Sequence, residues 1–131
     1  MGWLTEEEED VARILIVDDE EHIRTLYALE LEDDGHEVLA LSTGKGVAGH
    51  IRSFRPDVVI LDIKMVDISG LDVLQEVRNE FYDLPVILCS AYGSYKGDVK
   101  SIAADYYVVK SSDLTELKKK IKIAIEARIP T

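Results

Sequence analysis

Four short apolar runs each stop at a residue able to do chemistry. RILIV at 13–17 is followed by Asp18 and Asp19, DVVIL at 57–61 by Asp62, PVILC at 85–89 by Ser90, and YYVV at 106–109 by Lys110. Such unbroken apolar runs are expected of strands covered on both faces of a parallel sheet. In an open α/β sheet, ligands bind beyond the carboxyl ends of the strands, so three acids, a hydroxyl and a lysine converge on one edge. Clustered carboxylates repel one another unless a cation or protons neutralise them. An all-oxygen set without His or Cys suits a hard ion such as Mg2+. A lysine and a hydroxyl beside that ion supply donors for an anion, the arrangement phosphoryl transfer requires.

The elements that must position these groups alternate along the chain. A further strand, EVLAL at 37–41, and amphipathic stretches at 20–33, 45–54, 71–81 and 114–129 complete a repeating βα pattern. Ile23, Leu26 and Tyr27 share a face of the first helix, and Leu117, Ile121, Ala124 and Ile125 share one on the last, where Asp113 and Glu116 form a capping pair. A helix within 95–104 has a thin stripe of Val99, Ile102 and Ala103, and Gly93 and Gly97 flank its start, which predicts mobility. Residues 1–11 form an acidic N-terminal segment before a single domain at 12–129, and Trp3 and Leu4 in that segment are apolar enough to dock on a surface.

The 131 residues carry 26 acids against 15 Lys and Arg, a net charge of −11. Phosphate backbones would be repelled, which argues against direct nucleic-acid binding. Five acids stand together at 6–10, where an export signal would be basic, and no apolar run approaches the roughly 20 residues needed to span a bilayer. Cys89 is the only cysteine. It has no internal disulfide partner, which fits a reducing compartment and makes cytoplasm the expected location.

Together VDDE at 17–20, LDIKMVDISG at 61–70, SAYG at 90–93 and YVVK at 107–110 resemble the receiver domain of two-component response regulators, over about residues 12–129. The resemblance implies a flavodoxin-like (βα)5 fold with a five-stranded parallel sheet of order 2-1-3-4-5. It implies that Asp62 is the phosphoacceptor and that Asp18, Asp19, Asp62 and the Lys64 backbone carbonyl hold Mg2+. Lys110 and Ser90 would meet the phosphoryl group, Ser90 and Tyr107 would act as the switch, and Lys64 and Tyr92 would tune dephosphorylation. The implied donor is a histidine kinase or histidine phosphotransfer protein, and the implied output a downstream protein target or effector domain, with a phosphorylation-dependent dimer possible and no membrane involved. Beyond its own phosphorylation and dephosphorylation the domain would not be an enzyme. Two positions depart from the family pattern. Ser111 follows Lys110 where proline, often cis, is usual; a cis bond there would cost about 2.5–4 kcal/mol, so the turn is either strained or trans. Val66 replaces the proline after Met65, which predicts a looser loop.

Simpler readings compete at each position. Asp19 alone would be a helix cap. Gly44, Gly46 and Gly49 match a dinucleotide-binding GxGxxG, but in the second βα unit and two residues past its strand; Gly44 is read as a turn glycine. A small Mg-dependent phosphatase would also use Asp, Lys and Ser, but its DxD spacing differs from the adjacent Asp18 and Asp19. Cys89 reads as packing, His22, His36 and His50 are scattered, Tyr107 alone would be an edge-strand aromatic, and Ile123 and Ile129 lie off the last helix's main stripe.

Overall fold

A computed structural model describes residues 11–91 and 103–128. The chain runs β1 (Arg13–Val17), α1 (Glu21–Asp33), β2 (Glu37–Leu41), α2 (Val47–Phe54), β3 (Val58–Asp62), α3 (Gly70–Glu80), β4 (Val86–Ser90), β5 (Tyr106–Val109) and α4 (Thr115–Arg128). The five strands are all parallel, in the order β2-β1-β3-β4-β5. The topology is flavodoxin-like, as the alternation of elements and the resemblance lead one to expect.

The apolar runs are continuous because alternate residues feed two cores. Ile14, Ile16, Ile60, Ile87 and Cys89 pack beneath α1 and α4 with Tyr27, Leu31, Leu117, Ile121 and Ile125. Leu15, Val17, Val59, Leu61, Val86 and Leu88 pack on the other face with Val47, Ile51, Val73, Leu74 and Val77 of α2 and α3. Tyr106 joins the first core and its neighbour Tyr107 the second.

Two strands end one residue later than their apolar runs. Asp62 pairs with Cys89, and Ser90 with Val109, so both polar residues belong to the sheet itself. Helix α2 starts at Val47, two residues later than the pattern indicates, because its N-cap Gly46 holds a left-handed φ of 75°. Gly44 is not a turn glycine of that kind. An added Cβ there would lie 2.6 Å from Val73 and 2.7 Å from Ile68, so its lack of a side chain lets the loop pack closely on α3. Asp113 caps α4, its Oδ1 accepting the Thr115 N–H at 3.0 Å. The helix expected within 95–104 lies outside the described residues except for Ala103 and Ala104, which lead into β5 outside any α-helix.

Arg78 of α3 fastens that entry to β5. Its guanidinium donates to the Ala103 carbonyl at 2.6 Å, the Leu84 carbonyl at 2.5 Å and the Asp105 carboxylate at 2.5 Å. The same Asp105 oxygen accepts the Val86 N–H at 2.7 Å, tying the start of β4 to the start of β5.

Gly70 fixes how α3 meets the end of β3. Its N–H donates to the Ile63 carbonyl at 2.7 Å, and a Cβ added to it would stand 1.9 Å from the Asp62 carbonyl oxygen. Only backbone can yield there, and that backbone carries Asp62. Gly70→Ala should lower the unfolding free energy by about 1–3 kcal/mol, the usual cost of overpacking. A urea midpoint equal to wild type would show that the helix start relaxes without cost.

Candidate functional site

The β1–α1 loop, the end of β3, the end of β4 and the residue after β5 meet at the carboxyl edge of the sheet. The Lys110 ammonium lies 2.8 Å from Asp18 Oδ2, 3.0 Å from Glu20 Oε1 and 3.2 Å from Asp62 Oδ1. Lys110 reaches them across a trans bond to Ser111, since no cis peptide bond occurs among the described residues. Its own N–H donates to the Ser90 carbonyl at 2.7 Å, which continues the β4–β5 ladder by one step and aims the side chain at β1 and β3. Asp18, Asp62 and Ser90 are the buried polar residues among those described.

Asp18 organises the first loop. Its Oδ1 accepts the Glu20 N–H at 2.9 Å, and its carbonyl accepts from Arg24 at 2.9 Å. Asp19 turns the other way, its Oδ2 accepting the Val66 N–H at 2.8 Å. A proline at 66 has no N–H to give. The valine therefore adds a tie to the β3–α3 loop, where the sequence had led us to expect loosening.

A cavity of about 520 Å³ opens over these groups, lined by Asp19, Glu20, Asp62, Lys64, Val66, Ser90, Ala91 and Lys110. Asp18, Glu20 and Asp62 each bring a carboxylate oxygen within 4.8 Å of the other two. Glu20 is the member that sequence reasoning overlooked. It sits in the VDDE run behind two acids of the same ligand type, and only the loop geometry carries its longer side chain back to Lys110. Tyr107 lies opposite Leu88 in the β4–β5 register, two residues before Ser90, so strand alternation puts Tyr107 and Ser90 on one face. Tyr92 lies outside the described residues.

Among the described residues, the site is short of positive charge. One ammonium serves three carboxylates, with Asp19 close by. Two like charges about 4 Å apart repel by ~4 kcal/mol even at an effective dielectric of 20. Burial first, then the charge of Asp18, pushes the Asp62 carboxyl up to about 6 against the pull of Lys110. Hydrogen bonding and charge from Lys110 hold Glu20 below the usual carboxylate range. For Lys110, burial alone would lower the pKa, yet its bonds to Asp18 and Glu20 and the charges of Asp18 and Asp62 raise it. Asp62 Oδ2 is buried with no hydrogen-bond partner among the described residues. An orphaned carboxylate oxygen beside an all-oxygen acidic set fits a hard divalent cation.

Two other motifs fall away from this cavity. Gly44 is used in packing, as described above, and Cys89 is buried in β4 with its Sγ 3.9 Å from the Tyr27 hydroxyl. Burial pushes the Cys89 thiol up to about 11, where it is inert.

The model of the response regulator receiver domain family matches residues 14–122. Among curated proteins, the chain is 33% identical over 118 residues to Regulatory protein AtoC of Escherichia coli (strain K12), covering 88% of this chain and 26% of that protein. It is 34% identical over 106 residues to Probable transcriptional regulatory protein TcrX of Mycobacterium tuberculosis (strain ATCC 25618 / H37Rv), covering 79% and 45%. The chain thus spans less than half the length of these relatives. Among solved structures, response regulator protein TrrA of Thermotoga maritima in complex with Mg2+-BeF is 46% identical with a TM-score of 0.82, covering 86% of this chain and 97% of that one. A second structure, histidine kinase ThkA in complex with TrrA, matches at 46% identity and a TM-score of 0.80, covering 86% and 97%. Among the described residues, no helix is long and apolar enough to cross a membrane.

The raised Asp62 pKa carries a sign. A carboxyl whose pKa is higher folded than unfolded adds stability that is complete below its unfolded value near pH 4 and is lost as pH rises through about 6. In EDTA at pH 7, Asp62→Asn should therefore raise the unfolding free energy by about 1–3 kcal/mol and flatten the decline between pH 4 and 6. Urea titrations across that range check it; an Asp62→Asn protein no more stable than wild type at pH 7 would mean that Lys110 fully neutralises the cluster.

Proposed function

Because this chain belongs to the response regulator receiver domain family, a family of signalling modules, we propose that Asp62 accepts a phosphoryl group from a phosphohistidine donor. The buried Asp62 carboxylate carries this reading: one oxygen is paired with Lys110 and the other, at the cavity, lacks a partner among the described residues. A carboxylate oxygen attacks phosphorus, the P–N bond to the donor imidazole breaks, and the imidazole leaves with the electron pair and takes up a proton. The product is an acyl phosphate on Asp62. Lys110, already 3.2 Å from Asp62 Oδ1, moves its charge onto the phosphoryl oxygens.

Asp18, Asp19 and Asp62, with the Lys64 backbone carbonyl, would hold Mg2+, and Glu20 adds a fourth carboxylate at the rim. When bound, the ion neutralises the acids and offsets charge developing on the phosphoryl oxygens. Asp19 is preset for this work by the Val66 N–H, which holds one of its oxygens and leaves the other for the cation. Ser90 donates its hydroxyl to the phosphoryl group, and Tyr107, on the same face, adjusts to its movement. Lys64 lines the cavity and, with Tyr92, sets how water reaches the acyl phosphate. Small phosphodonors would also load Asp62, and the domain would hydrolyse its own acyl phosphate without turning over a separate substrate.

The donor is a histidine kinase or histidine phosphotransfer protein, in keeping with the kinase complex of TrrA. The output is a changed surface read by a downstream protein or effector domain, with a phosphorylation-dependent dimer as one form of it. The acidic 12–129 unit makes no nucleic-acid contact of its own and works in the cytoplasm.

With Mg2+ and acetyl phosphate, the wild-type chain should gain a phosphoryl mass mapped to Asp62, while Asp62→Asn, an isosteric amide that cannot act as nucleophile, should gain none. Asp19→Asn should weaken Mg2+ binding by about tenfold or more in calorimetry. Full labelling of Asp62→Asn would overturn the assignment of the acceptor, and an unchanged Mg2+ affinity in Asp19→Asn would leave that carboxylate as a loop tie alone.

A further inference from the structure

Far from the acidic cavity, a second cleft of about 350 Å³ opens between the C-terminal end of α1 and the outer half of α4. Its floor is apolar, formed by Leu31, Ile121 and Ile125, and its rim carries Lys118 and Lys122 from α4 opposite Asp33 and Asp34. Lys118 already answers the acids of α1, 3.2 Å from Asp34 and 3.4 Å from Glu30. The α4 side is the strongest basic run of an otherwise acidic chain, with four lysines among residues 118–122. The volume falls within the range of clefts that enclose small ligands, about 300–1,000 Å³, and gives room for an aromatic ring.

The chain itself enters beside this cleft. His36 lines it, and His36 Nδ1 accepts the Ala12 N–H at 3.0 Å, so residue 12 is tied to the cleft wall. Val11 lies against Gly35 in the same turn, 3.4 Å from where a Cβ would stand on that glycine. Upstream come five consecutive acids at 6–10 and, before them, Trp3 and Leu4. Six or seven residues reach at most ~25 Å when extended. The cleft residues of α4 from Lys118 to Ile125 span only about 10 Å at 1.5 Å per residue. The segment is therefore long enough to lie along the cleft with slack.

We propose that residues 3–10 dock in the α1–α4 cleft, with Trp3 and Leu4 over Leu31, Ile121 and Ile125 and the acidic run along the α4 lysines. The acids leave residue 11 beside Gly35 and His36, on the wall of the cleft opposite Lys118 and Lys122, and the apolar pair is far enough along to reach the floor. An aromatic anchor buried among aliphatic residues with a charged rim is the usual composition of such contacts. Attraction between surface charges is screened by salt, so the docking should weaken as ionic strength rises.

Trp3 is the only tryptophan, so its fluorescence reports this contact without any label. In the full chain its emission should be blue-shifted, and its quenching by acrylamide several-fold weaker, relative to a peptide of residues 1–11, at every protein concentration. Lys122→Glu, at an exposed position, should move both readings toward the peptide values. So should glutamine at Glu6, Glu7, Glu8 and Glu9 together, changes that leave the domain core untouched. The proposal is overturned if the full chain and the peptide quench alike, or if the protection disappears on dilution, which would place the segment on a second copy. Protection indifferent to both variants would place Trp3 on another surface and equally overturn it.

Discussion

A single ammonium held among three carboxylates is the interaction on which the rest of this structure turns. Lys110 extends from the end of β5, yet its partners come from the β1–α1 loop and from β3, so the three central strands and the edge strand must keep a common register for the contact to exist. Burying these groups is costly, and their attraction offsets that cost only in good geometry. The Lys110 N–H bond to the Ser90 carbonyl supplies part of that geometry from the backbone. Among the described residues negative charge nevertheless remains in excess, in keeping with the raised Asp62 pKa and with an Oδ2 that has no partner among them. A fold can keep such strain where a ligand relieves it, and the divalent cation and the phosphoryl group of the proposed reaction have opposite charges that suit the carboxylates and the lysine in turn.

The strain is contained by packing. On both faces of the sheet the strands are sealed by aliphatic residues, so the polar groups have nowhere to relax except toward the cavity. Gly70 sets α3 directly against the Asp62 backbone, and Gly44 lets the β2–α2 loop close on α3 in turn. Both glycines act by having no side chain where backbone or core must approach closely. Toward the other end of α3, Arg78 and Asp105 bind α3, β4 and the entry to β5 together. The residues around the cavity are thus held by neighbours that do no chemistry themselves.

The β3–α3 loop shows how a departure from a family pattern can be compensated locally. Losing a proline at 66 gives up a fixed φ, but it restores a backbone donor, and that donor is spent on Asp19. At 111, the bond after Lys110 is trans and the lysine still reaches all three acids. Neither substitution removes a group from the site.

Much of this was legible in the amino-acid sequence. A strand buried on both faces must be apolar throughout, so a run such as ILIV broken by Asp18, or VVIL broken by Asp62, marks both the strand and its chemically active end. Parallel topology then brings those ends to one edge, which is why the sequence alone places Asp18, Asp62, Ser90 and Lys110 together. Other features depend on approaches between backbones far apart in the chain, and no local pattern encodes them. That Asp19 meets Val66, 47 residues on, while Glu20 turns back to Lys110, 90 residues on, is settled by loop path alone. The packing roles of Gly44 and Gly70, and the place of Asp62 and Ser90 inside their strands, follow from which atoms lie opposite them. Residue type and period are properties of a single segment; distance between segments is a property of the folded chain.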